Sequence, residues 1–405
     1  MTLPRIAVVG IGADGWAGLG EPARTALLGA AEVIGSARQL ALLPPEVEAE
    51  RRELPSPLGP LLDDLAEHAT AATAVLASGD PMLHGIGATL ARRLGPERLD
   101  VHPHPSAFAL ACARLGWPAA EVALVSAVAR PPEVVARLLQ PGRRLVAYAT
   151  GEDGAAQLAR VLRKRGFGPS RLVVLEQLGG ADERVLESTA EEWGERRADP
   201  LHAVAIDCRA APGAPLLPRT PGLPDAAYDS DGQLTKRHVR ALTLAALAPA
   251  PGQLLWDVGA GSGSIAIEWL RAEATARAIA VEARADRAER AAANALALGV
   301  PQLDVRVGEA PAALDGLPAP DAVFLGGGLT EPGLLERCWA ELAPGGRLVV
   351  NAVTLEGEQV VVAAHGTHGG TLTRIAIAHA EPLGSFTSWR DALPIVQWVA
   401  TKEGA

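Results

Sequence analysis

The chain alternates short apolar runs with longer stretches of helical periodicity. In its first half the runs are "RIAVVG", "TAVLAS", "RLVAYAT", "RLVVLEQL" and "HAVAIDC", separated by alanine- and leucine-rich segments such as "EPARTALLGAAEVIG". In its second half "QLLWDVG", "RAIAVEA", "LDVRVG", "DAVFLGG" and "GRLVVNAV" repeat the pattern. Short apolar strands alternating with helices predict α/β units whose mainly parallel sheets are covered on both faces. Between the halves lies "RAAPGAPLLPRTPGLPD" (209–225), too rich in proline and glycine to propagate a helix or a central strand. The pattern therefore predicts a domain over 1–210, a linker over 211–221 and a domain over 222–405. A weaker break at "LGWPAAEV" (115–122) divides the first half into two subdomains.

Each half carries a glycine turn behind a strand. In "LLWDVGAGSG" (254–263), Gly261, Gly263 and Ala266 fit the permissive dinucleotide fingerprint G-x-G-x-x-A. The frame argues differently. Asp257 closes the strand, and the tight part of the loop is Gly259–Gly263. An acid beside that loop would repel a pyrophosphate and would suit a cationic sulfonium bearing an ammonium group. Glu282, at the end of the next strand, is placed to accept hydrogen bonds from two ribose hydroxyls, a feature that NAD and S-adenosylmethionine sites share. The other turn, "VVGIGADG" (8–15), satisfies G-x-G-x-x-G literally through Gly10, Gly12 and Gly15. Trp16, Gly18 and Gly20 follow, however, so no helix can start until about Pro22, too late to receive a pyrophosphate. A two-domain NAD-dependent oxidoreductase stands as the alternative reading.

Ahead of the second turn, "GQLTKRHVRALTLAAL" predicts a helix over 236–248, with Thr235 as N-cap and Val239, Leu242 and Ala246 on its apolar face. Lys236, Arg237 and Arg240 crowd its first turns, where the helix end already carries partial positive charge. They read either as a solvated basic face or as an anion site for a substrate bearing several carboxylates.

Composition narrows the partners. A net charge of −10 argues against broad binding to nucleic acid or an anionic membrane. Eight tryptophans, two tyrosines and four phenylalanines offer little base-stacking surface, which leaves small molecules. Cys112, Cys208 and Cys338 lie far apart with no C-x-x-C pair, as suits a reducing compartment, and no apolar run approaches the ~18 residues of a membrane span, so a cytoplasmic protein is expected. His102 with His104, and His365 with His368, lack a neighbouring carboxylate or cysteine set, so they read as loop residues and no metal is expected. Neither a G-x-S-x-G elbow nor a Walker loop is present.

Later segments carry a resemblance. "PDAVFLGGG" (320–328) and "LAPGGRLVVNAV" (342–353), taken with the glycine turn, resemble the class I methyltransferases that use S-adenosyl-L-methionine on a Rossmann-like sheet. "GLPDAAYDSDGQLTKRHVRA", "DVGAGSGSIAIEWL", "GEAPAAL" and "NAVTLE" resemble the carbon-15 methyltransferases of corrin biosynthesis over most of 222–356. That resemblance implies donor contacts from Thr235, Gly259, Ala260, Gly261, Ser262, Gly263, Glu282 and Ala310. In the first half "VVGIG", "ASGDPMLHGIG" (77–87) and "HPHPSAF" (102–108) resemble the tetrapyrrole methylase fold, whose two α/β subdomains hold the same donor in a cleft. Many of its members carry Gly-Pro-Gly where this chain has Ala13-Asp14-Gly15. Here the resemblance implies that Gly79, Asp80 and Leu83 line the donor site, with Gly10, Gly12 and Ser106 facing the donor or the substrate cleft.

A chain that joins these halves resembles the fused precorrin-6B C-5,15-methyltransferase (decarboxylating) family of cobalamin biosynthesis. The resemblance implies methylation of carbon 5 by the first half. It implies methylation of carbon 15, with loss of the ring-C acetate carboxyl, by the second half, giving precorrin-8x. A multiply carboxylated tetrapyrrole substrate follows, as does a homo-oligomer, a tetramer through the C-terminal domain. A further alternative is a methyltransferase-like binding module with one inactive half.

Overall fold

The computed structural model describes residues 5–70 and 72–404. The chain divides into two compact units, Met1–Pro132 with Pro141–Ala214, and Glu133–Gln140 with Pro215–Ala405.

The first unit holds two five-stranded sheets. Strands β1 (Ile6–Ile11), β2 (Glu32–Gly35), β3 (Glu50–Glu53), β4 (Thr73–Ser78) and β5 (Leu99–His102) form a parallel sheet in the order β3-β2-β4-β1-β5. The continuous apolar runs of β1 and β4 make them its centre, with β1 buried throughout. After β1 a single 3-10 turn at Gly15–Gly18 precedes the helix Glu21–Leu28, which opens with Pro22 in its first turn. The second sheet contains β6 (Val122–Ser126), β7 (Arg144–Tyr148), β8 (Arg171–Glu176), β9 (Arg184–Thr189) and β10 (His202–Asp207), ordered β6-β7-β10-β8-β9. Here the expectation of a mainly parallel sheet fails. Only β6 and β7 pair in parallel, and β10 runs antiparallel to both neighbours. A strand buried on both faces shows the same apolar run whichever way its neighbours point, so composition could not tell the two apart.

In the second unit β11 (Leu254–Val258), β12 (Arg277–Glu282), β13 (Asp304–Val307), β14 (Ala322–Leu325) and β15 (Arg347–Ala352) are parallel. With β16 (Thr371–Ile375) and an antiparallel β19 (Ile395–Thr401) they complete a seven-stranded sheet ordered β13-β12-β11-β14-β15-β19-β16. The strand order reverses at β11, and the crevice beyond the carboxyl ends of β11 and β14 is where such sheets bind ligands. Between β16 and β19 a separate hairpin, β17 (Ala378–Leu383) and β18 (Phe386–Asp391), is exposed along its whole length.

The helix Arg237–Leu247 leads this unit. Its buried positions are Val239, Arg240, Thr243, Leu244 and Leu247, while Leu242 is exposed. The apolar face thus lies one position off the expected one, because an arginine occupies part of the inward stripe. Thr235 is not the cap either; Lys236 holds the N-cap position and makes no side-chain cap bond. Arg240 is fully buried. Its Nε donates to Glu268 Oε1 at 2.6 Å, its Nη2 to the Leu223 carbonyl at 2.5 Å and to Asp225 Oδ1 at 3.1 Å, and its Nη1 to the Thr235 carbonyl. Its guanidinium also lies 4.8 Å from the centre of the Tyr228 ring. Glu268, in the helix Ser264–Ala272, further accepts from the Gly222 and Leu223 amides and from the Tyr228 hydroxyl. The proline-rich stretch beside it is packed down too, with Leu217 and Leu223 in the core and Arg219 donating to the Arg271 and Ala272 carbonyls.

Glu268→Ala would strand a buried guanidinium and three further donors. The urea transition of the second unit is expected to move to lower denaturant by an equivalent of about 3–5 kcal/mol. An unchanged transition would show that the network does not hold this segment.

Candidate functional site

In the first unit the loops after β1, β4 and β5 meet at the carboxyl end of the parallel sheet. A side chain at Gly10 would collide with the Gly79 carbonyl and the His104 backbone. Gly12 and Gly18 leave room for Asp14, whose carboxylate pairs with His104 Nε2 at 3.1 Å. The literal dinucleotide fingerprint therefore serves a close approach of two loops and the hydrogen bond between Asp14 and His104, neither of which needs a pyrophosphate. His104, read from the sequence as a loop residue, clamps the first loop to the Pro105–Ser106 turn. Ser106 caps the helix Ala107–Leu115, its Oγ accepting from the Ala109 amide at 3.1 Å.

These loops border a cavity of about 410 Å³, which Gly12, Gly79, Leu83 and Ser106 line together with His84 and Tyr148. Gly10 and Asp80 are not among its lining residues. Gly10 lies behind it against Gly79, and Asp80 shapes the turn by accepting the Met82 amide at 2.8 Å. Arg38 and Gln39, from the helix Ala37–Ala41, reach the same cavity and both donate to Ser78 Oγ. No spacing along the chain pointed to this pair, because a five-residue helix carries no periodicity to read.

In the second unit a cavity of about 860 Å³ opens at the crevice beyond β11 and β14. Gly259 and Ala260 both donate to the Val281 carbonyl, which ties the glycine loop to β12. Gly259 has φ +72°, and a Cβ there would strike the Gly327 backbone, so the glycines after β14 and the glycine after β11 permit one another's approach. Glu282 Oε2 accepts the Gly261 amide at 2.8 Å and Oε1 the Arg284 amide at 3.1 Å, while the side chain lines the cavity. Asn294 joins the loop to the preceding segment: its amide nitrogen donates to the Asp229 and Ser262 carbonyls and its oxygen accepts the Asp229 amide. Nothing in the spacing pointed to Asn294, since its partners are 32 and 65 positions away.

Thr235, Gly259, Ala260, Gly261, Ser262, Glu282 and Ala310 all line this cavity. Gly263 does not; with φ +75° it is the N-cap of the helix Ser264–Ala272. Of the three basic residues, Lys236 lines the cavity together with His238. Arg237 turns away to donate to the Gly222 carbonyl at 2.8 Å. Arg240 is a correction: fully buried and bonded to Glu268, Asp225 and two carbonyls, it cannot meet a substrate carboxylate. Asp257 is a second correction. It lies buried outside the cavity lining, and its Oδ2 accepts the Ala266 amide at 3.0 Å, so it secures the start of a helix instead of facing a bound cation.

Comparison with known proteins places both halves. Residues 5–194 match the family described as Tetrapyrrole (Corrin/Porphyrin) Methylases, and residues 226–402 match the one described as Precorrin methyltransferase domain. Over 399 residues the chain is 46% identical to a Precorrin-6Y C(5,15)-methyltransferase [decarboxylating] of Sinorhizobium sp, covering 98% of this chain and 97% of the relative. The chain belongs to the precorrin-6Y C(5,15)-methyltransferase (decarboxylating) family. It is accordingly a C-methyltransferase whose methyl donor is S-adenosylmethionine, and the oxidoreductase alternative has no support. Two shorter members of the wider group match in part. A Cobalt-precorrin-7 C(5)-methyltransferase of Salmonella typhimurium is 32% identical over 44% of this chain and 88% of its own length. A Probable cobalt-precorrin-6B C(15)-methyltransferase (decarboxylating) of Pyrobaculum calidifontis is 34% identical over 42% of this chain and 89% of its own.

Burial, with Glu282 nearby, pushes the Asp257 carboxyl up to about 7. In an unfolded chain it titrates near 3.9. Between those values the folded state holds the extra proton, so Asp257's contribution to stability is full below about pH 4 and is lost as pH rises through about 7. Asp257→Asn keeps an acceptor for the Ala266 amide but does not titrate. Its stability relative to the wild type is expected to rise from pH 4 to pH 7 in urea unfolding; parallel curves for the two proteins would refute this.

Proposed function

We propose that residues 1–210 and 222–405 each hold one molecule of S-adenosylmethionine and that the chain methylates one tetrapyrrole twice. The first half acts at carbon 5. The second acts at carbon 15 and releases the ring-C acetate carboxyl, so that precorrin-6B becomes precorrin-8x. The observation that carries this reading is that each half has its own cavity, built where a glycine turn meets the carboxyl ends of parallel strands. The names of the two half-length relatives, one a C(5)- and the other a C(15)-methyltransferase, support the division of labour.

The residues present fit the donor. Glu282 presents to the larger cavity a carboxylate that can accept from ribose hydroxyls, and Gly259 and Gly327, which line the same cavity, bring no side chain into it. Thr235, Gly259, Ala260, Gly261, Ser262 and Ala310 complete that wall, and Gly12, Gly79, Leu83 and Ser106 form its counterpart in the first half. The bound donor supplies an electrophilic methyl on a sulfonium. The chain's task is to align an electron-rich bridging carbon with that methyl and to keep water out. Lys236, exposed at the mouth of a helix N-terminus, meets a substrate carboxylate. For decarboxylation the conjugated macrocycle accepts the electron pair that the departing carboxylate leaves behind.

The second unit also presents a surface for its own kind. Leu383, Phe386, Trp389 and Leu393, in and beside the β17–β18 hairpin, are 66%, 77%, 75% and 77% exposed. Such a concentration of large apolar side chains marks an interaction site, and a second copy of this hairpin is its partner in a homo-oligomer, a tetramer through the C-terminal domain. The reaction is placed in the cytoplasm, whose reducing conditions suit three cysteines widely spaced in the chain.

Mass spectrometry of precorrin-6B incubated with the protein and donor is expected to show a gain of two methyl groups and a loss of one carbon dioxide. Any other mass change refutes the reading. In the same assay Lys236→Ala should raise the substrate concentration required without altering affinity for S-adenosylhomocysteine. By light scattering after gel filtration, the wild type is expected to run as a multiple of the 41.8 kDa chain. The double variant Phe386→Glu, Trp389→Glu is expected to run as a single chain, and a monomeric wild type would exclude the hairpin interface.

A further inference from the structure

The cavity of the first unit contains one titratable ring, His84, that makes no hydrogen bond among the described residues. His84 follows Leu83 in the loop after β4, at φ +57°, a left-handed conformation that non-glycine residues adopt rarely and at a cost. The loop is pinned on both sides of it. Gly79 packs against Ser106, and Gly85 lies so close to the Pro81 carbonyl that no Cβ would fit. The strained backbone therefore carries the imidazole to the cavity wall and keeps it there. Among the described residues the ring makes no hydrogen bond or ion pair; it stands edge-on to Tyr148, with centroids 6.2 Å apart and planes at 83°.

Other titratable groups around this cavity are already occupied. Arg38 donates to Ser78. The Tyr148 hydroxyl accepts the Phe108 amide at 3.1 Å, and burial pushes its pKa up. His202 is 8% exposed and tethered through Nδ1 to the Asp199 carbonyl at 2.6 Å. Asp80 accepts the Met82 amide. The groups that act on His84 are Tyr148 from β7 and Arg130 from the loop after β6, while Asp80, from the same loop as His84, acts on Tyr148. Burial, then the Arg130 charge, hold the imidazole below its ordinary pKa, which leaves it neutral and able to accept a proton near pH 7.

We propose that His84 is the general base of the methyl transfer in the first unit. The inference rests on the two-site reading above and extends it by naming a proton acceptor. In the transfer a π electron pair of the bridging carbon forms the new carbon–carbon bond, the carbon–sulfur bond breaks, and its electrons remain on sulfur as a neutral thioether. The positive charge passes to the macrocycle. It is discharged when the carbon–hydrogen bond at the methylated position breaks, its electron pair restores conjugation, and the proton moves to the His84 imidazole and from there to solvent. An unpartnered, neutral imidazole at the wall of the donor cavity fits that step.

The test uses the full chain bearing His84→Gln, with precorrin-6B and donor under single-turnover conditions. The variant is expected to accumulate a product that has gained one methyl and lost carbon dioxide, with the remaining transfer slowed about 10²-fold. Isothermal titration with S-adenosylhomocysteine should still report two sites of wild-type affinity, which also shows that the first unit is folded. The wild-type rate of the carbon-5 transfer should fall as the pH is lowered through the imidazole pKa, and His84→Gln should lack that limb. Wild-type transfer by the variant, or an unaltered pH limb, overturns the proposal. So does loss of one donor site, which would make His84 a donor-binding residue. A wild-type protein that never adds a second methyl overturns the two-site reading itself, an outcome distinguishable because it appears before any substitution is made.

Discussion

Arg240 and Glu268 are buried together in the second unit, and the larger cavity depends on them. The chain between Gly222 and the leading helix has almost no regular structure of its own, yet it brings Thr235 and Lys236 to the cavity, beside His238 in the first turn of that helix. Its backbone is held because Glu268 accepts from the Gly222 and Leu223 amides while Arg240 donates to the Leu223 and Thr235 carbonyls. Burying two charges costs solvation that their attraction only partly offsets, so the pair is a poor source of net stability. It is effective as a specification. Beyond their own pairing, the two side chains bond to one particular path of this segment, and any other path would leave buried donors and acceptors without these partners.

Glycine does similar work at both sites by a different physical route. Gly10 against Gly79, and Gly259 against Gly327, are places where two loops touch backbone to backbone. A methyl group at either position would force the loops apart and open the base of the cavity. The two turns look like versions of one nucleotide motif, but their geometry follows from which loop each must approach. In the first unit Gly12 and Gly18 also make space for Asp14 to reach His104, so glycines that suggest a phosphate cradle in fact surround a carboxylate.

The carboxylates show how far position alone can mislead. Asp257 and Glu282 both end central strands, and both read as ligand-facing acids. One residue of difference in where the strand stops sends Asp257 inward to the Ala266 amide, while Glu282 stays at the cavity wall. Three neighbouring cations part in the same way: Lys236 faces the cavity, Arg237 turns to backbone, and Arg240 enters the core.

Much was legible in the residues alone: the α/β alternation, the two glycine turns, the late start of the helix after the first turn, and the family resemblance. All of these are local, and each follows from spacing along the chain, hydrophobic period or backbone freedom at glycine and proline. The mixed direction of the second sheet, the exposed β17–β18 hairpin, the Asn294 tie and the Asp14–His104 clamp were decided only by tertiary structure. They join residues distant in sequence, and a burial pattern does not record which neighbour a strand has or where a side chain ends. The role of each charged residue belongs to the same class. Whether an arginine binds substrate or supports a core depends on what stands opposite it, and only the folded chain sets that.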